Sequence, residues 1–233
     1  MHARNRQYET PPASARRVPP TRTSVSGVYA FQGKSAVQFE SLLERDFLVR
    51  TEFFTDVEQV IAQPVRIPFQ LSDGRRFHYT PDFLVYRRLE DRDPVDYPRP
   101  ELVEVKPEKK WRKHYREWFP KWKAAWRLAQ DEGWSFHIHD ESRIRDRTLE
   151  NVKFLKRYGR MNFDYDGNRL LLDTLDAMGS APVHYLANSV ELGENEVTKT
   201  ARLWHLLATR QIECDIGREL DVSTEIWIDQ HDR

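Results

Sequence analysis

The sequence holds one cysteine, Cys214, in 233 residues. A disulfide framework and a zinc–thiolate centre within one chain are therefore both excluded. A reduced, cytosolic setting is the natural expectation. No apolar run approaches the roughly 18 residues that a membrane span needs. The first residues carry charge with no apolar stretch behind them, so no secretory signal is expected. Internal repeats and long low-complexity tracts are lacking too. Net charge is the last absence, with 37 basic residues against 37 acidic. Evenly spread, that balance would exclude a uniformly basic nucleic-acid coat and an acidic tail.

The charge is not evenly spread. Residues 1–36 sum to +5, 37–105 to −5, 106–127 to +7, 128–160 to +1 and 161–233 to −8. Residues 1–36 also carry Pro11, Pro12, Pro19 and Pro20 and few large apolar side chains. Such a segment buries too little to offset its ordering entropy, and reads as a flexible basic arm.

Periodicity changes from Phe39 onward. Phe39, Leu42, Leu43 and Phe47 recur at helical spacing, which predicts a helix over 36–50. Residues 57–69 are rich in Val and Ile and read as strand and edge segments around Pro64 and Pro68. Ser72-Asp73-Gly74 predicts a turn into a second strand over 77–86. A charged loop over 88–100 precedes a short strand over 101–105. A helix over 109–132, interrupted near Pro120, is expected to stop at Gly133. A strand over 134–139 and a helix over 144–158 complete an α/β unit with a mixed sheet, residues 37–160. Residues 161–233 predict three helices, around 170–178, from Pro182 and over 194–209, then a small wing from Ile212, Cys214, Ile216, Ile226 and Ile228. That order is winged-helix-like.

The chemistry concentrates in Pro81-Asp82 and Glu104-Val105-Lys106. Glu104 and Lys106 are two apart on one strand and share a face. If the second and third strands are neighbours, Asp82, Glu104 and Lys106 converge at one sheet end. Carboxylates are hard oxygen ligands for Mg2+, and a lysine can orient a water or stabilise developing charge. This is the pattern of the PD-(D/E)xK nuclease superfamily. The preceding helix offers Glu40 and Glu44, with Glu44 at the apolar border and Glu40 toward solvent.

The segments 41–47 (SLLERDF), Gln63-Pro64, 79–85 (YTPDFLV) and 102–107 (LVEVKP) make the resemblance narrower. They resemble the TnsA family, the endonuclease subunit of heteromeric bacterial transposases. The resemblance implies a restriction-endonuclease-like fold, cleavage of the 5′ transposon ends and two Mg2+ ions, for which Mn2+ can substitute. It implies transposon-end DNA, a TnsB-like DDE transposase and a TnsC-like AAA+ regulator as partners, the last docking on 161–233. Carried over, Glu44, Asp82, Glu104 and Lys106 are catalytic. Glu44, Asp82, Glu104 and the Val105 backbone carbonyl hold metal. Gln63 takes a minor role, equally read as a structural cap.

Residues 106–127 carry four of the seven tryptophans, Trp111, Trp118, Trp122 and Trp126. Trp122 and Trp126 are expected in the core. Lys109, Lys110, Arg112 and Lys113 follow Lys106 directly and are the expected phosphate contacts, with His114 and Tyr115 as neighbours. The −8 field of 161–233 repels phosphate and suits protein docking. His184 and His205 lack metal-like company. Two other readings compete with a transposase endonuclease. One is an unrelated PD-(D/E)xK restriction or repair nuclease. The other is a non-catalytic DNA-binding assembly adaptor.

Overall fold

The computed structural model describes residues 25–88 and 97–229. The chain divides into two compact units, with the boundary between Ile144 and Arg145.

The first unit opens with a hairpin, β1 (Gly27–Phe31) and β2 (Ser35–Phe39), paired antiparallel. Its turn places Gln32 and Gly33 at left-handed φ of 51° and 66°. This hairpin takes up residues 27–36 of the expected arm, and its residues 1–24 lie outside the described residues. Phe39 belongs to this hairpin rather than to the following helix, because Val37 and Phe39 alternate inward. Helix α1 (Leu42–Glu52) starts at Ser41, whose side chain accepts from the Glu44 backbone N–H.

The central sheet has the order β3 (Val57–Ala62), β6 (Phe83–Arg87), β7 (Glu101–Val105) and β8 (Ser135–His139). The first three strands pair antiparallel, and β7 with β8 pairs parallel. The parallel pair needs a long crossover, and α2 (Glu108–Glu132) provides it. This helix runs unbroken through Pro120. Gly133 ends it at φ 75°, where a left-handed residue lets its N–H reach Ala129 and Gln130 carbonyls.

The expected second strand is two. β4 (Ile67–Gln70) and β5 (Arg76–Tyr79) form a separate ribbon. Thr80-Pro81-Asp82 then breaks the chain before β6, since proline has no N–H to give a ladder. Asp82 therefore precedes its strand.

Strand alternation sends each side chain to one of two cores. Phe83, Val85, Val103 and Val105 pack with Phe47 of α1. Leu84, Tyr86 and Leu102 pack with Trp122, Ala125 and Ala129 of α2. Trp126 lies off that buried stripe and is 53% exposed, contrary to the sequence expectation.

The second unit begins earlier than the expected 160/161 junction. After α3 (Glu141–Ile144), which closes the first unit, α4 (Arg147–Leu155) belongs with the residues that follow it. Asn151 Nδ2 donates to the carbonyls of Ile216 and Arg218, and Phe154 meets Trp204 edge-on. These contacts lie beyond local periodicity. The remaining helices are α5 (Tyr165–Met178), α6 (Val183–Ser189) and α7 (Glu196–Ala208). They pack beside a sheet of order β10 (Glu213–Cys214), β11 (Glu225–Trp227) and β9 (Ser180–Pro182). The two expected wing strands are β10 and β11, and β9 is an additional third. Among the described residues no helix is long and apolar enough to cross a membrane.

Arg202 ties this unit together at 1% exposure. It pairs with Asp164, 2.7 Å away, and with Glu194, and its guanidinium stacks over Phe163. A Cβ at position 167 would come 2.7 Å from the guanidinium, so Gly167 is needed for this close approach. Arg202→Ala should destabilise this unit by about 2 kcal/mol, since it removes a buried side chain together with the hydrogen bonds by which that side chain joins α5 to α7. Equilibrium denaturant unfolding measures the loss, and Arg202→Lys should recover only part of it because the planar fork is lost.

Candidate active site

Register makes the site. Phe83 pairs with Val103 in an antiparallel ladder, so Asp82, one step before Phe83, stands opposite Glu104, one step after Val103. The Asp82 N–H donates to the Val103 carbonyl at 3.1 Å, and the Val105 N–H donates to Asp82 Oδ2 at 2.7 Å. Both ends of Asp82 are thus fixed by β7. Gln63, at a left-handed φ of 48°, donates its backbone N–H to the Asp82 carbonyl at 2.8 Å. Its Nε2 donates to Glu40 Oε1 at 3.2 Å, while its buried Oε1 has no donor among the described residues. Gln63 is therefore a brace behind Asp82, which is more than an end cap. Glu40 is half-buried against it and precedes the helix, rather than facing solvent from it.

Glu104 is 1% exposed. Along β7 it alternates onto the same face as Leu102, toward α2. Tyr79 donates its hydroxyl to Glu104 Oε2 at 2.6 Å. Lys106 and Lys121 both approach Oε1, at 3.4 and 3.3 Å. Lys106 also donates to Asp82 Oδ2 at 3.2 Å. Residue-level periodicity could have flagged Lys121, because it sits between Trp118 and Trp122 on a helix facing Glu104. A basic run by itself reads as a solvent-facing surface, which hides the inward position of Lys121. Tyr79 opens the 79–85 segment, and its partner Glu104 is 25 residues away and outside local periodicity.

Glu44 is buried at the start of α1. Its carboxylate accepts from the Glu40 N–H at 2.6 Å and from the Ser41 hydroxyl at 2.9 Å. It is thus the acid of a local capping arrangement, close to the reciprocal box of Ser-x-x-Glu. It is also near enough to Lys106 to feel its charge.

Electrostatics follow from this crowding. Burial raises the pKa of Asp82, and the neighbouring Glu104 charge raises it further. Burial likewise raises that of Glu44, against its hydrogen bonds to Glu40 and Ser41. Burial disfavours the Lys106 ammonium, yet Asp82, Glu104 and Glu44 outweigh it and push its pKa up. Lys106 is therefore a firm cation. Burial and the Glu104 charge keep Tyr79 protonated as a donor.

The donor set is three carboxylates, hard oxygen ligands suited to a divalent cation such as Mg2+. Three negative charges against two lysines leave room for added positive charge. Among the described residues no three His, Cys, Asp or Glu side chains already form a metal-holding cage. Asp82 Oδ2 accepts from Lys106 and the Val105 N–H, the Glu104 oxygens face Tyr79, Lys106 and Lys121, and the Glu44 oxygens accept from the α1 cap.

Lys109, Lys110, Arg112 and Lys113 are exposed on the first turns of α2. Arg112 pairs with Glu108 at 2.7 Å and lies over Trp111. His114 stacks on Trp118, and Tyr115 is exposed beside Phe119. In the other unit, His184 Nδ1 donates to the Val222 carbonyl at 2.8 Å, and His205 Nδ1 donates to that of Tyr158 at 3.0 Å.

Two families match the chain. The one described as TnsA-like endonuclease N terminal matches residues 55–141. The one described as TnsA endonuclease C terminal matches residues 143–216. No curated protein matches the chain.

The raised Asp82 pKa carries a stability prediction. Between its unfolded and folded pKa values the native state binds more protons, so its stability falls as pH rises through that window. Asp82→Asn removes this charge while its side-chain oxygen can still accept from Val105. In chelator at pH 8 the variant should melt a few degrees above the parent. The gap should shrink as pH falls toward the ordinary aspartate range. Scanning calorimetry at both pH values checks it.

Proposed function

The chain belongs to the TnsA endonuclease family, the endonuclease subunits of transposases, and from that premise we propose that it hydrolyses phosphodiesters at the 5′ transposon ends with Mg2+. The observation that carries this reading is the meeting of Asp82, Glu104 and Lys106 at one end of a mixed sheet. It is the constellation of a PD-(D/E)xK nuclease on a restriction-endonuclease-like scaffold.

Asp82, Glu104 and the Val105 backbone carbonyl would hold the metal, two ions in the full site. Glu44 joins them on releasing its helix cap. The bound ion supplies Lewis-acid stabilisation of phosphate charge and a water of lowered pKa. Mn2+, with the same preference for oxygen ligands, can substitute. Lys106, held cationic by three carboxylates, is suited to orient the attacking water and to stabilise charge on the phosphate, rather than to accept a proton. Tyr79 fixes the Glu104 carboxylate by donating to Oε2. Gln63 and the Val105 N–H hold Asp82.

DNA would lie along the start of α2. Four cations near a helix N-terminus add to a dipole that is already positive there. The arrangement costs helix stability and favours phosphate, which positions the duplex without reading sequence.

The second unit is winged-helix-like in α5, α6, α7 and its small sheet, yet α7 is poorly equipped for a DNA groove. Arg202 is buried in ion pairs, and Lys199 donates to the Val190 carbonyl at 2.6 Å. With the −8 charge of 161–233, this supports docking on a protein, a TnsC-like AAA+ regulator, beside a TnsB-like DDE transposase.

Asp82→Ala and Lys106→Ala should each reduce Mg2+-dependent 5′-end cleavage by on the order of 10³-fold in a reconstituted reaction with the partner subunits. Circular dichroism should show both folded. Parental cleavage by either variant would remove the site assignment. Shortening the chain to end at Ile144 should abolish capture by the AAA+ partner in a pull-down.

A further inference from the structure

Lys121 is a second, half-buried cation in the site, and the nuclease chemistry argued above gives it no task. Its side chain is 17% exposed and lies 3.3 Å from Glu104 Oε1. Lys106 already stands 3.4 Å from the same oxygen. Two ammonium groups on one carboxylate oxygen are more than hydrogen bonding requires. Lys121 is also faced by three aromatic rings, 4.7 Å from Tyr79, 4.7 Å from Trp118 and 5.7 Å from Trp122. Those rings favour a cation whether or not Glu104 accepts from it. The ammonium therefore has a resting place that survives loss of the carboxylate.

We propose that Lys121 is a positioning residue that holds Glu104 in the metal's place, and so sets how tightly the site takes a divalent cation. The inference rests on the metal-site reading of Asp82 and Glu104. Without an ion, Lys121 balances the charge of a carboxylate that is otherwise cut off from water. When Glu104 turns to a cation, Lys121 stays on the Tyr79, Trp118 and Trp122 rings. Its charge then opposes the incoming ion through a low-dielectric region. The result is a site that fills only at high metal concentration, or when phosphate oxygens arrive as further ligands.

The test is Mn2+ binding to the full-length protein without DNA, read from the free-ion signal in electron paramagnetic resonance. Lys121→Met keeps the aliphatic stem and removes the charge. It should bind Mn2+ about tenfold more tightly, the change that ~1.4 kcal/mol of relieved repulsion produces. Lys121→Arg, which keeps the charge, should restore the parental affinity. Equal or weaker binding by a folded Lys121→Met overturns the proposal. If that variant does not fold, Lys121→Gln carries the same neutralisation and the same criterion. Asp82→Ala separates the two layers. If it binds Mn2+ as the parent does, the metal-site reading fails. If it loses binding while Lys121→Met is unchanged, only the role of Lys121 fails.

Discussion

Glu104 is a carboxylate sealed within an otherwise apolar strand, and its burial is the constraint that the site is built to satisfy. An isolated buried charge of this kind would neutralise or unfold its surroundings. Here Tyr79 reaches it from β5, Lys106 from the end of its own strand and Lys121 from α2. Each donor comes from a different element. The ribbon, the sheet and the crossover helix must all be docked before the charge is tolerable. One buried carboxylate thereby becomes a condition on the fold of the whole first unit.

Asp82 depends on the same arrangement by another route. Its position opposite Glu104 follows from the antiparallel register of β6 with β7, and two backbone N–H groups hold it there. Burial disfavours its charge and the like charge of Glu104 placed opposite adds to this, so the pKa of Asp82 rises. Such strain is characteristic of sites tuned for function rather than stability. Lys106 gains what the carboxylates lose, because their field keeps it cationic in spite of burial.

The second unit uses the same physics for a different end. Arg202 is as buried as Glu104, but its partners Asp164 and Glu194 complete its charge and leave nothing to bind. Its fork also donates to the Asp164 carbonyl and Asn168 Oδ1. It therefore fastens the start of α5 to α7. Both units bury charge, and the difference lies in whether the charge is saturated.

The sequence by itself determined the mixed α/β class, the order of most elements and which acids and lysine to consider as the candidate site, because alternation and motif spacing are local properties. Leu102, Glu104 and Lys106 share a face whatever the fold around them, and Ser41 caps a helix through residues three positions away. Tertiary structure alone decided what those side chains meet. Phe39 joined a hairpin because its partner strand lies upstream, and Asp82 fell in a break between two sheets. Trp126 turned outward because the buried stripe of α2 is set by the sheet beneath it. Helix α4 left the first unit because its partners are Ile216, Arg218 and Trp204, far along the chain. Lys121 was one cation in a basic run until α2 was laid across β7. Local sequence fixes which way a residue points within its element, whereas pairing across distant segments fixes what stands there to meet it.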